Sequence, residues 1–352
     1  MKNLFDEVSL GGLKLKNRFA RSATWLALAS EDGRISGEFI AAHKALCDGG
    51  VGALITEFTR TNKRDAPFEN MPSLADDAFV EDFIPLCEYA RSRGVAIFAQ
   101  IGQNAGDMRG DNTLMDRDVN SATIPEIKDM ICEFAGAAKR AELAGFNGVQ
   151  LHAAHGFLLS RFLSSAFNGR RDRYGKALKN RCAVILEIMD AVRKSCSPDF
   201  CILAKVNASA LGLSEDESLQ ACEILDENGI DAVEVSGDDT SRKNVRPGEG
   251  ESYFKDFAAR LACGVKAPVI LVGGNRSLES MGAILNSSNI EMFSLSRPLI
   301  REPDLIKRWQ LGDTAPAKCI SCNACFKTPG HKCAFNLRPR PAKGESTRRL
   351  SA

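Results

Sequence analysis

Short β-rich runs alternate with amphipathic helical patterns along almost the whole chain, and this rhythm restricts the fold more than any other feature. Strands are predicted at 19–23, 53–58, 96–101, 148–152, 201–206, 232–235, 268–272 and 291–295. Between them lie helical patterns such as 76–93, 125–144, 180–195, 214–228 and 277–285. Ser214 precedes Glu215, Asp216 and Glu217, and Ser277 precedes Glu279, so hydroxyl caps meet acidic residues at positive helix ends. Gly94, Gly145 and Gly229 stand where helices must stop in a left-handed residue before the next strand. Eight such units imply an α/β chain folded as a (β/α)8 TIM barrel. An open doubly wound sheet would carry a glycine-rich fingerprint after its first strand, and Arg21-Ser22-Ala23-Thr24-Trp25 is not one. Before the first strand, Val8 to Leu15 reads as a β-hairpin about Gly11-Gly12, placed to plug the barrel bottom.

Residues 1–335 are assigned to this barrel, including a cysteine-rich stretch at 319–333 that forms a short C-terminal extension. Residues 336–352 read as a loose basic tail. The net charge of +1 gives no reason to expect nucleic acid or an anionic membrane as partner. No apolar window reaches the length of a membrane span, and the N-terminus has no apolar signal core. Eight of the twelve cysteines are scattered singly through apolar patterns, as reduced buried thiols would be, so a cytoplasmic location is expected.

In a parallel barrel, chemistry belongs to the C-terminal ends of the strands. Those ends carry Ser22-Ala23-Thr24, Glu57-Phe58, Gln100, His152 with His155, Lys205 with Asn207, Glu234 with Ser236, Gly273-Gly274, and Ser296-Arg297. The list is polar and convergent, as a binding site requires. Two of the four histidines, His152 and His155, sit three residues apart after an apolar run, where both rings can hold one ligand atom. Gly273-Gly274 lets backbone amides approach an anion, and Arg297 offers a charged fork beside them. Lys205 ends an apolar strand and needs an anionic partner. Two partners fit: a cofactor ring that becomes anionic on reduction, or a carbonyl substrate attacked by the amine as in a Schiff-base lyase or aldolase.

The stretch from His152 to Arg181 reads His-x-x-His-Gly, then Asn168-x-Arg170-x-Asp172-x-Tyr174-Gly175 and Asn180-Arg181. With Lys16-Asn-Arg18, Phe98-Ala-Gln100 followed by Gly106, and Ser294-Leu-Ser-Arg297-Pro-Leu ahead of Pro303, it resembles the old yellow enzyme family of FMN-dependent ene-reductases and NADH:flavin oxidoreductases. The resemblance covers about residues 3–335. It implies FMN as cofactor and NADH or NADPH as electron donor. Ala23, Thr24, Phe58 and Gln100 would contact the flavin, with Lys205 near its N1–C2=O edge. Gly273, Gly274, Ser296 and Arg297 would hold its phosphate. His152 and His155 would grip the carbonyl oxygen of an enone while hydride passes from flavin to the β-carbon, the two half-reactions alternating at one site. A homo-oligomer is also implied.

Two departures from the family pattern bear on mechanism. Many relatives carry tyrosine at the Phe157 position, where its phenol supplies a proton, and phenylalanine has none to give. Either another acid serves, with Tyr253 a candidate, or the acceptor is a quinone, a nitro group or a second redox protein. Trp25 stands where relatives often have a smaller residue, and its indole would narrow the pocket. Cys319, Cys322, Cys325 and Cys333 resemble the run that holds a [4Fe–4S] cluster in larger relatives of the dienoyl-CoA reductase and trimethylamine dehydrogenase type. Here the last gap is only seven residues. A cluster, zinc and a metal-free remnant are all open at this level. A cluster would favour an electron-transfer or redox-sensing flavoprotein with a protein partner.

Overall fold

The chain closes a parallel β-barrel of eight strands, and the computed structural model describes residues 1–63, 66–104, 119–238 and 241–337 of it. The hairpin comes first, as β1 (Val8–Leu10) and β2 (Leu13–Leu15), paired antiparallel about Gly11 and Gly12, both at positive φ. The barrel strands are β3 (Phe19–Arg21), β4 (Ala53–Ile55), β6 (Ala96–Gly102), β7 (Gly148–Ala153), β8 (Cys201–Asn207), β9 (Ala232–Ser236), β10 (Val269–Leu271) and β11 (Met292–Leu295). A two-residue strand, β5 (Thr59–Arg60), adds to β6. The pairings β3–β4, β4–β6 and β11–β3 complete the ring.

The outer helices are α1 (Gly37–Asp48), α2 (Val80–Ser92), α3 (Ile124–Ala144), α4 (Leu158–Leu163), α5 (Leu178–Ser195), α6 (Glu215–Glu227), α7 (Lys255–Gly264) and α8 (Leu278–Ser287). Short helices α9 (Arg297–Arg301), α10 (Leu305–Gln310) and α11 (Ala334–Leu337) follow. Ser214 and Ser277 cap α6 and α8 as expected, Ser214 within a capping box with Glu217. Gly94, Gly145 and Gly229 all sit at positive φ. No helix among the described residues is long and apolar enough to cross a membrane. Most of the expected basic tail, from residue 338 on, and Gly106 of the family pattern lie outside the described residues.

Strand periodicity decides what the barrel contains. On β6, Ile97, Ala99 and Ile101 turn out to the helices, while Ala96, Phe98 and Gln100 turn in. On β8, Ile202, Ala204 and Val206 face out, and Cys201, Leu203 and Lys205 face in. The inward residues are therefore apolar at the N-terminal end and polar at the C-terminal end. Val8, Leu10 and Leu15 of the hairpin pack into the same apolar cluster as Phe98, Leu203 and Ile270, so the hairpin does close the bottom. Leu10 has no exposed surface. Leu10→Ala should cost about 3 kcal/mol through lost burial and a residual cavity, read as a lower urea midpoint with an unchanged slope.

Candidate functional site

The register of the ring brings the inward polar residues to one mouth. Gln100 faces Gln150 across β6–β7, His152 faces Lys205 across β7–β8, and Lys205 faces Glu234 across β8–β9. A buried chain of hydrogen bonds joins them. Gln100 Nε2 donates to Gln150 Oε1 at 2.8 Å, and Gln150 Nε2 donates to Glu234 Oε2 at 2.8 Å. Lys205 Nζ lies 3.1 Å from the same carboxylate oxygen and donates to Ser22 Oγ at 2.9 Å. Burial pushes the Glu234 carboxyl up, but the Lys205 charge and the hydrogen bonds outweigh it and hold the group below its ordinary value.

Above this chain lies a cavity with two lobes that share Ala23, Thr24, Trp25, His155 and Lys205. One lobe adds Gly273, Gly274, Arg276, Ser296, Arg297 and Tyr253, and encloses about 930 Å3 with its mouth included. The other adds Phe58, Gln100, His152, Phe157 and Asp238. All twelve residues expected at cofactor or substrate thus line one continuous space.

His152 is buried, with its Nδ1 lacking any hydrogen-bond partner. Its ring stands edge-on to His155, centroids 5.0 Å apart. His155 has φ +60°, a conformation that costs a non-glycine residue about 1–2 kcal/mol. It is held there by its backbone N–H donating to Asn207 Oδ1 at 3.2 Å and by Nε2 lying 2.8 Å from Ser236 Oγ. Burial, with the Lys205 charge behind it, pushes His155 down to about 3. His152 is lowered too, by burial first and then by His155 and Lys205. Both imidazoles are neutral at physiological pH, each with one N–H to donate.

The long motif beyond His155 is mainly scaffold. Asn168 Nδ2 donates to the carbonyls of Phe162 and Tyr174, both at 2.8 Å. Arg170 pairs with Asp172 and donates to the carbonyls of Val119 and Ala122. Arg181 donates to the Leu163 carbonyl and pairs with Glu217. These bonds fix the loop that carries the histidines' flank, and none of the motif's polar residues from Asn168 to Arg181 lines the cavity.

At the other lobe Gly273 and Gly274 both have positive φ, and a Cβ on Gly273 would lie 2.7 Å from the Tyr253 ring. Tyr253 is therefore packed on the glycine pair, with Arg242 over its face at 4.4 Å, and is not among the residues lining the His152 lobe. Tyr253 thus lines the lobe of the glycine pair, which shares His155 with the lobe of His152. Arg297 is not an idle fork: its Nη1 donates to the Arg242 carbonyl at 2.8 Å and to Asn323 Oδ1 at 2.6 Å. Arg276, which sequence reasoning passed over, is almost fully buried beside the glycines. It donates to the Cys319 carbonyl at 2.7 Å and to Ser321 Oγ at 2.6 Å. Its position two residues past Gly274, at the end of a barrel strand, was the signal. Gln150, an inward position on β7, was missed for want of the register.

The cysteine-rich stretch carries Cys319, Cys322, Cys325 and Cys333 beside the cavity. Cys322 is exposed while Cys325 is buried, and among the described residues no three His, Cys, Asp or Glu side chains come together to hold a metal ion. Instead the stretch walls the cavity. Ser321, Phe326 and His331 line it, and His331 Nδ1 sits 2.8 Å from the Trp25 carbonyl with its ring edge-on to the indole. Trp25, stacked on Phe68 at 4.7 Å, lines both lobes.

Residues 3–314 match the family described as NADH:flavin oxidoreductase / NADH oxidase. The chain is 32% identical over 303 residues to the NADH-dependent flavin oxidoreductase nadA of Aspergillus parasiticus, covering 77% of this chain and 68% of that one. It is 30% identical over 364 residues to the NADH oxidase of Thermoanaerobacter brockii, covering 96% of this chain but 55% of the other, so it spans about half that enzyme's length. Among solved structures, the old yellow enzyme homologue of Zymomonas mobilis superimposes with a TM-score of 0.74 at 22% identity, covering 90% of this chain and 94% of that one, a likeness of fold.

The buried histidines make stability depend on acid. His43 is pushed down to about 4 and His155 to about 3, burial being the main cause in each. Unfolded histidines bind a proton near pH 6.5 that the folded ones refuse, so stability falls as pH drops below that value. Glu57 opposes this: burial raises it to about 8, so the folded state keeps a proton that the unfolded state has lost, and stability falls as pH rises. The melting temperature should fall between pH 7 and pH 5, and Glu57→Gln should steepen that fall; differential scanning calorimetry across the range checks both.

Proposed function

Because the chain belongs to the NADH:flavin oxidoreductase / NADH oxidase family, we propose that it is an FMN-dependent oxidoreductase carrying hydride from NADH or NADPH to an electron-poor alkene such as an α,β-unsaturated carbonyl. The observation that carries this reading is the neutral histidine pair, with the orphaned Nδ1 of His152, in a cavity continuous with the Gly273-Gly274 cradle. The residues fit the cofactor. A positive-φ glycine pair lining the cavity next to the guanidinium groups of Arg276 and Arg297 suits a phosphate. Gln100, Ala23 and Thr24 line the lobe suited to a planar ring. FMN, when bound, supplies the two-electron hydride chemistry that no side chain here possesses.

The side chains do the rest. Neutral imidazoles donate hydrogen bonds to a carbonyl oxygen and draw electrons from the conjugated β-carbon without protonating the oxygen outright. Lys205 adds a positive charge shared by both lobes, favouring negative charge on a bound ring. Its contacts also argue against the Schiff-base reading, since the amine is engaged by the Glu234 carboxylate at 3.1 Å and by Ser22 Oγ at 2.9 Å rather than presented to a substrate. A quinone or nitro acceptor is the second reading, favoured by Phe157, whose ring packs 4.6 Å from His152 with no proton to offer.

Anaerobically purified protein should carry flavin absorbance that bleaches on adding NADH or NADPH; a colourless protein that takes up no FMN would end this reading. Gly273→Val should weaken FMN binding at least about tenfold, since a side chain at this positive-φ position would push the Tyr253 and Phe254 rings off the glycine pair and distort its backbone, measured by fluorescence quenching of the free flavin. Borohydride added with a carbonyl substrate should leave Lys205 unmodified by mass spectrometry.

A further inference from the structure

Reduction of a polarised alkene is incomplete when hydride has reached the β-carbon. The electron pair of the double bond then rests on the α-carbon and carbonyl oxygen, and the α-carbon must receive a proton. Phe157 has none, and Tyr253 belongs to the other lobe. Among the described residues lining the lobe of His152 there is one carboxyl group, that of Asp238. It sits two residues past β9, on the chain that also supplies Ser236 to His155.

Asp238 is tied to the histidine pair by a single residue. Asn207 Nδ2 donates to Asp238 Oδ1 at 3.0 Å, and Asn207 Oδ1 accepts the backbone N–H of His155 at 3.2 Å. One side-chain amide therefore fixes both the carbonyl-gripping histidine and the carboxyl relative to β8. Burial raises the Asp238 carboxyl, against the lowering effect of the Asn207 bond. The residue as a whole keeps exposed surface, so water can reload it with a proton.

We propose that Asp238 is the general acid that protonates the α-carbon of the bound alkene, an assignment that rests on the ene-reduction reading above. In the step, hydride supplied from the flavin forms the β C–H bond and the π pair moves toward the oxygen held by His152 and His155. The α-carbon then takes the proton of the Asp238 carboxyl, leaving a carboxylate that solvent reprotonates. One NAD(P)H and one proton are consumed per alkene reduced. The arrangement assigns hydrogen-bond activation and proton delivery to different residues, and it accounts for a phenylalanine at position 157.

The test uses the FMN-loaded protein, reduced by NADPH or NADH and reoxidised by 2-cyclohexenone or by a quinone that needs no carbon protonation. Asp238→Asn should lower the ratio of enone to quinone reoxidation rates about 100-fold, the usual weight of a general acid. Phe157→Tyr in that background should restore enone reduction by placing a phenol beside His152. Apart from turnover, infrared difference spectra of the oxidised protein with cyclohexenone should contain a carboxylic acid band that Asp238→Asn removes. An unchanged enone-to-quinone ratio, no rescue by tyrosine, or no such band in the wild type would each overturn the assignment. Wild-type protein that binds FMN and accepts electrons from NAD(P)H but reduces no enone would instead sink the ene-reduction reading itself, and Asp238's role with it.

Discussion

The upper interior of the barrel is organised around one buried ion pair, Lys205 with Glu234. Neither charge could be taken from water alone, because desolvation costs several kcal/mol per ion. Each is therefore supported by neighbours on other strands: Ser22 from β3's end, Gln150 from β7, and Gln100 behind it from β6. The bonds link residues of five strands, so the polar layer is also a clamp on the register of the ring. Removing either charge would leave the other buried and unpaired, at a cost of about 3–5 kcal/mol. The same positive charge keeps His152 and His155 from protonating, after burial has done the larger part. Stability, register and the chemical state of the site thus depend on one pair.

Much of this was legible in the chain because a barrel strand has a period of two and a polar end. Every strand from β3 to β11 of the ring falls within or beside its predicted range, and the hairpin closes the bottom as its Gly-Gly turn implied. The strand-end residues converge for the same reason: direction and alternation alone carry side chains of parallel strands to one mouth. Lys205 stood out because a lysine in an apolar run needs a partner, though which partner depended on the cross-strand register that pairs it with Glu234.

What was not legible depends on contacts between distant segments. Arg276 and Arg297 follow different barrel strands, yet both are tied to the cysteine-rich stretch, through Ser321 and Asn323. The spacing of four cysteines left a cluster, zinc and a metal-free remnant open, and nothing in that spacing showed that the same backbone also walls the cavity. Ser321 and Asn323 adopt positive φ to present their side chains to the two arginines. His331, also at positive φ, reaches the Trp25 carbonyl. A segment recruited in this way becomes a wall of the cavity, and its cysteines take whatever exposure that wall leaves them. Tyr253 is a parallel case: an aromatic residue near a glycine pair is as readily a lid for those glycines as a proton donor.

The strain at His155 connects these observations. A residue with φ +60° is retained only where the surroundings over-determine it. Here the restraint comes from Asn207 on β8 and Ser236 on β9, so the ring's direction is fixed by two strands other than its own. A histidine in the ordinary extended region would follow β7 and could not turn back over the Lys205 side of the mouth at the spacing of three residues from His152. Both rings instead meet edge to face over one point of the cavity. The backbone cost is modest beside the transition-state stabilisation two oriented donors can give, which is about 3–4 kcal/mol for one such donor in a dry site. On the proposed reading the strain follows from requiring two donors from one loop, and Asn207 bonds both that loop and the Asp238 carboxyl.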